Sequence, residues 1–305
     1  MPHDLLRAIA IFAVGLAAGT INTVVGSGTL ITFPTLLAFG YPPVLANVSN
    51  NVGLVPGVAS GVHGNRAELA GQRRRIIRLG SASLCGGLVG AILLLVLPAG
   101  AFKAIVPVLI GIALVMVVFQ PRLAKWVAAR QRARAAPDWA DGPGDGPGGG
   151  DEPGGGDEPS GGDEPDAGAA GVLRAVRVVD GLPTDAAVQV GGPVLWVLVF
   201  LSGIYGGYFG AAQGVLLIGL MGVAFTDTMQ RINAIKNVLA GLVNGIAAVV
   251  FVIATHIDWG VAGLIAAGAI LGGQFGARIG RKLPPWALRV VIICVGVAAL
   301  VKLLA

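Results

Sequence analysis

The sequence predicts an all-α polytopic membrane protein made of two inverted-topology repeats of about five membrane helices each. Three observations carry this. Apolar segments recur along the whole chain, charge is scarce outside one internal stretch, and the second half repeats the first at a fixed spacing of 186 residues (Asn233 minus Asn47).

Only 12% of residues are charged and 55% are hydrophobic, too little charge to cover a soluble chain of this length. The first apolar run, about 5–25, contains the polar pair Asn22-Thr23 and offers no persuasive cleavage site, so it reads as a span rather than a signal peptide. Further runs lie at about 29–40, 44–62, 76–97 and 103–119, and a second series at about 193–212, 214–226, 232–254, 260–280 and 287–304. The second run of each series is short: 29–40 covers roughly 18 Å as helix against about 30 Å of hydrocarbon. Each short run follows a glycine-rich break, Gly26-Ser27-Gly28-Thr29 or Gly210-Ala211-Ala212-Gln213-Gly214. Cys85 and Cys294 fall within apolar runs without a CxxC pattern and read as packing residues.

The chain therefore divides into a membrane repeat at 1–119, a connection at 120–192 and a second repeat at 193–305. The connection holds seven of the 21 Lys/Arg and 12 of the 16 Asp/Glu, with Gly-Asp-Glu-Pro units at 150–153, 156–159 and 162–165. Such a composition buries too little apolar surface to offset chain entropy, so disorder is expected.

Sliding the second half back by 186 superposes Gly28 on Gly214, Asn47 on Asn233, Asn51 on Asn237 and Leu97-Pro98 on Leu283-Pro284 without a gap. Charge orients the two copies. Arg66, Arg73, Arg74, Arg75 and Arg78 follow the third segment of the first half, whereas its counterpart near 255–260 has no Lys or Arg. The turn after Leu97 has only Lys103, while its counterpart is flanked by Arg278, Arg281, Lys282 and Arg289. Equivalent loops then face opposite sides, which means inversion, with the linker cytoplasmic and both termini outside. Basic residues grouped at span ends are topogenic and give no reason to expect nucleic-acid binding.

Polar groups inside apolar spans mark the candidate site. Asn233, Lys236 and Asn237 share one face of a helix, and Asn244 extends it; Asn47, Asn50 and Asn51 form the corresponding stripe. A helix that begins at a break presents free N–H groups and a positive dipole end, suited to an anion. Gly26, Gly28 and Gly214 would open those breaks, with Ser27, Thr29 and Gln213 as side-chain donors and Asn22 lining the same space. Lys236 would bind an oxyanion as a point charge. The competing readings are snorkelling of Lys236 to the interface and close helix packing at the glycines. Asp227 reads as a helix-end partner. The scattered histidines, with no Walker A sequence, HExxH or nucleophile–base arrangement, speak against an enzyme, a cofactor, a metal site or ATP as energy source.

Gly26-Ser27-Gly28-Thr29-Leu30-Ile31 with Phe33-Pro34, then Ala46-Asn47 through Asn51-Val52, resembles the first half of the sulfite exporter TauE/SafE family. Arg231-Ile232-Asn233-Ala234-Ile235-Lys236-Asn237-Val238-Leu239-Ala240 resembles its second half. The likeness covers both membrane halves and departs in the long acidic linker and in the second break, where a denser glycine run is more usual. It implies a secondary transporter of the bacterial inner membrane that handles sulfite, sulfonates or other small anions, often outward.

The expected partners are a small anion and the lipid bilayer; a homo-oligomer is left open. The working mechanism closes the two asparagine faces around an anion near midplane while the repeats rock. Two other readings stand beside it: a cation- or proton-coupled carrier with asparagine oxygens as ligands, and a non-transporting scaffold or receptor component acting through the linker. Deleting the linker separates carrier from scaffold: a carrier is expected to retain solute flux in vesicles, whereas a scaffold is expected to lose its activity.

Overall fold

The computed structural model describes residues 2–135, 192–279 and 285–304. The acidic Gly-Asp-Glu-Pro units, and the charges Arg281 and Lys282, lie outside the described residues. Within them the fold is all-helical: α1 (Pro2–Val24), α2 (Thr29–Ala38), α3 (Pro43–Gly64), α4 (Arg73–Val96), α5 (Ala99–Ala135), α6 (Pro193–Tyr208), α7 (Gln213–Ala224), α8 (Met229–Ala254), α9 (Trp259–Ile279) and α10 (Pro285–Leu304). One 3-10 turn, Arg66–Leu69, joins α3 to α4.

Stretches of α1, α4, α5, α8 and α9 are long and apolar enough to cross a bilayer. α3 has the length, but its asparagine stripe dilutes its apolarity. The short helices stay short because glycine starts them and a turn stops them: α2 follows Gly26 (φ 89°) and ends at Gly40 (φ 84°). Leu88, Ile92 and Val96 on α4, and Val108, Ile112 and Val115 on α5, stand exposed; in a membrane these faces meet lipid. Both cysteines are exposed, so neither is the packing residue the sequence suggested. α5 also continues to Ala135, past the boundary at 119, because Arg122–Ala135 contains strong helix formers and no glycine or proline.

The helices pair across the two halves. Gly15 faces Ile265, Gly19 faces Ala269, and Gly276 faces Thr20 and Thr23, so α1 and α9 run parallel. Gly53 meets Ala262, Gly57 meets Ala269 and Gly64 meets Ala277, so α3 runs the same way as α9. Gly86 meets Phe200 and Gly203, and Gly90 meets Ile204 and Tyr208, which makes α4 parallel to α6; Gly80 on Leu242 and Gly87 on Ile246 make it parallel to α8. The two sets oppose each other: Val58 touches Gly241, whereas Ala70, further along the first half, accepts from Arg231 at the start of α8. The first, third and fourth helices of one half thus run against their counterparts in the other. Beyond these, α5 packs on α7 and α10 on α2, again reciprocally.

At the end of the bundle that holds the α3–α4 connection, Asp227 pairs with Arg75 and, at 3.0 Å, with Arg231, in keeping with its expected role. The Arg75 guanidinium lies 4.4 Å from the centre of the Phe225 ring. At the other end Arg7 donates to the Phe39 carbonyl and stacks near Phe39 and Tyr41. That contact returns α2 to the end where α1 began.

Close approach depends on the absent side chains. A Cβ on Gly272 would run into the Leu16 carbonyl, and one on its counterpart Gly86 into that of Phe200. Gly272→Leu and Gly86→Leu are each expected to cost about 1–3 kcal/mol or more through overpacking. Gly111→Ala, where a Cβ meets nothing, should be neutral or gain up to about 1 kcal/mol of helix propensity. Thermal melting of the detergent-solubilised variants measures all three.

Candidate functional site

Two broken helices meet at the centre. α1 ends at Val24 and α6 at Tyr208, each leaving carbonyls with no partner in the next turn. In hydrocarbon such groups must be satisfied from elsewhere, and the polar stripe does so. Lys236 Nζ donates to the Asn22 carbonyl at 3.0 Å and the Thr23 carbonyl at 3.4 Å. Asn233 Nδ2 and Asn237 Nδ2 donate to Thr23 at 3.1 and 3.5 Å. Reciprocally, Asn47 Nδ2 donates to the Tyr208 carbonyl at 3.0 Å. Asn50, which takes the place of Lys236, donates to Thr29 Oγ1 at 3.4 Å. Each stripe therefore ties down the broken helix of the opposite half.

Lys236 is 0% exposed. It does not snorkel; its ammonium turns inward onto the α1 terminus, where the helix dipole puts negative charge. None of the four acids among the described residues is buried, and Lys236 has no carboxylate partner. Its charge is balanced only by backbone.

The two breaks touch. Gly214 N–H donates to the Gly26 carbonyl at 3.2 Å, and a Cβ on Gly26 would sit 2.5 Å from Gly214 Cα. The expectation that both short helices open with free N–H groups holds for one of them. In α7, the N–H groups of Gln213, Val215 and Leu216 find acceptors in the tight turn at Gly210–Ala212, and that of Gly214 in the Gly26 carbonyl. In α2, Leu30, Ile31 and Thr32 are bonded, whereas Gly28 and Thr29 have no backbone acceptor. The centre is thus asymmetric, with the open donors at the start of α2.

Ser27 and Gln213 occupy equivalent positions (213 minus 186 is 27), and both are buried, at 1% and 3% exposure. Ser27 Oγ and Gln213 Nε2 have no hydrogen-bond partner, nor do Asn50 Oδ1, Asn51 Oδ1, Asn233 Oδ1 and Tyr208 Oη. Gln213 lies along Gly206 of α6, and the Lys236 stem lies against Gly214. The structure therefore brings together Asn22, Gly26, Gly214, Asn233, Lys236 and Asn237 on one side, and Ser27, Gly28, Thr29, Asn47 and Asn50 beside them. Asn51 adjoins this second group. Asn244 is buried on the same face of α8 but shares none of these hydrogen bonds. Tyr208 was missed by sequence reasoning because an aromatic at the end of an apolar run gives no polar signal. The carbonyls of Asn22 and Thr23, which act through backbone, were missed as acceptors.

Among the described residues, one non-glycine carries backbone strain. Ala212 has φ 61°, in the left-handed region, where the equivalent position of the first half is Gly26 at φ 89°. A non-glycine there costs about 1–2 kcal/mol. Ala212→Gly is therefore expected to raise the melting temperature, and Gly26→Ala to lower it. Opposite signs at equivalent positions are the outcome that thermal melting checks.

No curated protein and no solved structure matches the chain. A family model does: sulfite exporter TauE/SafE, over residues 11–303. The match spans both sets of helices and the connection between them. Beside these breaks the all-helical bundle holds a fully buried lysine with no carboxylate partner. The chain belongs to the sulfite exporter TauE/SafE family of membrane anion transporters.

Proposed function

We propose that the chain is a secondary carrier exporting a small oxyanion, sulfite or a sulfonate, across the bacterial inner membrane, and that the anion sits at the start of α2 facing Lys236. The observation that carries this is Lys236 itself, at 0% exposure and with no acid beside it. A helix C-terminus offers only about half an elementary charge, so the pocket keeps a net positive potential that an anion neutralises. Open donors converge there: Gly28 and Thr29 N–H, Ser27 Oγ and Gln213 Nε2.

The two halves are read as inverted repeats, supported by the opposed directions of corresponding helices and by the reciprocal asparagine ties. The arginine-bearing end is taken as cytoplasmic, which puts the linker inside and the termini outside. An inside-negative potential then drives an anion outward by about 2.3 kcal/mol per charge per 100 mV. Ser27, Asn50 and Lys236 are all at 1% exposure or less, so this conformation is occluded. Binding and release require the two sides of the centre to part in turn.

Thermal-shift measurements with sulfite, sulfate, thiosulfate, sulfoacetate and small carboxylates, followed by liposome flux with the anions that stabilise, test the substrate class; stabilisation by none of them would remove the proposal. Lys236→Ala is expected to cut flux by about tenfold or more, and Lys236→Arg by less, because the ammonium's charge is kept but its geometry is not. Ser27→Ala and Gln213→Leu provide a sharper check. Their polar atoms Ser27 Oγ and Gln213 Nε2 have no partner in the protein, so removal should leave the melting temperature unchanged or raised while weakening anion binding by about tenfold, near the worth of one hydrogen bond. Lost stability with unchanged binding would assign both residues to packing.

A further inference from the structure

We propose that the two moving bodies of the carrier are not the two sequence halves but two bundles that exchange their fourth helices: α1, α2 and α3 with α9, and α6, α7 and α8 with α4. This rests on the carrier reading and adds which surfaces slide.

Within the bundles α9 meets α1 and α3, and α4 meets α6, backbone on backbone, while α4 meets α8 through the Leu242 and Ile246 side chains. α9 meets α1 through Gly268, Gly272 and Gly276, and meets α3 through Gly57 and Gly273. α4 meets α6 through Gly86, Gly90 and Gly207. Such seams leave no flexible side chain to absorb a displacement, so the paired helices move as one. Polar ties reinforce the exchange. Ser49 Oγ accepts from Asp258 N–H at 3.0 Å, joining α3 to the start of α9. The Asp227–Arg75 pair joins the start of α4 to the segment leading into α8. Trp196 Nε1 donates to Ser81 Oγ at 3.1 Å between α6 and α4.

The seam between the bundles is different. α3 faces α8 through Val58 against Gly241, and the ties across the seam include the hydrogen bonds of the two polar stripes and the Gly26–Gly214 backbone bond, with Arg231 bonded to Ala70 and Gln72 of the crossing connection. Those bonds can be traded for bonds to water or solute, which a glycine seam cannot do. The connections 65–72 and 255–258 cross between the bundles at opposite ends, and the first contains a 3-10 turn and Gly71 at φ 77°. Short 3-10 segments of this kind often serve as hinges. A carrier whose bodies part along α3–α8 opens on the Lys236 centre, since the bonds of Lys236, Asn233 and Asn237 to α1 and of Asn47 to α6 cross from one bundle to the other.

Two cysteine pairs distinguish the bodies, placed in a C85A/C294A background. V58C/G241C links α3 to α8, and G64C/A277C links α3 to α9; a Cβ on Gly241 lies 3.2 Å from Val58 Cγ1, within reach of a disulfide, and one on Gly64 lies 2.5 Å from Ala277 Cβ, so the last residue of α3 shifts by about 1 Å to reach disulfide spacing. Both pairs join residues of 1–119 to residues of 193–305, so rocking sequence halves would be arrested by either. Exchanged bundles predict that oxidised V58C/G241C loses sulfite flux by about tenfold or more and regains it on reduction, while oxidised G64C/A277C keeps most of its flux. Arrest by both, or by neither, overturns the proposal. Spin labels give a readout that needs no substrate: R74C/Q230C, within one bundle, should show a narrower distance distribution than Q230C/R278C, between bundles. Equal widths overturn it as well. Absent flux in the reduced variants would count against the carrier reading alone, and the spin-label comparison would still decide the bodies.

Discussion

Everything at the centre depends on one demand: the carbonyls freed where α1 and α6 break must find donors where no water is available. An unpaired backbone group in hydrocarbon costs several kcal/mol, so a helix can stop at depth only if another element caps it. Lys236, Asn233 and Asn237 cap α1, and Asn47 caps α6. The polar stripes are therefore structural before they are functional. Placing them is what lets the chain interrupt two helices in the membrane and start two short ones.

The same ties explain why the site is electropositive on balance yet stable when empty. A fully buried ammonium is costly unless it is hydrogen-bonded, and the α1 terminus supplies both acceptors and partial negative charge. What it does not supply is a full counter-charge. On the proposed function, an arriving anion competes with the carbonyls for the ammonium, so occupancy of the site and the grip on α1 are linked. Glycine works alongside this, since the breaks approach closely enough for Gly214 N–H to reach the Gly26 carbonyl only because neither residue carries a side chain there.

Much of this was legible in the sequence. Scarce charge, recurrent apolar runs and the repeat at 186 residues led to an all-helical membrane fold, and the short runs after glycine breaks appear as α2 and α7. Lys236 and the asparagines stood out because polar groups inside apolar runs are expensive. Other features were less visible. The apolar run stops at 119, yet α5 continues to Ala135, because helix propensity there outlasts apolarity. Asn244 shares the face of Lys236 by periodicity alone, yet lies two turns beyond the break and meets none of its partners. The closed N–H groups of α7 follow from the left-handed turn at Ala212, which no alanine advertises, and from the Gly26 carbonyl of the other break.

Sequence alone determined the class of fold, the family and the positions of costly polar groups, because hydropathy and spacing are local properties that the chain carries with it. Tertiary structure decided which half caps which: that Lys236 turns onto the end of α1, that of the two short helices α2 keeps open backbone N–H groups at its start, and that α4 and α9 pack in each other's half. Those outcomes depend on which helix surfaces can approach to backbone contact. Such complementarity belongs to pairs of helices, and no single segment encodes it.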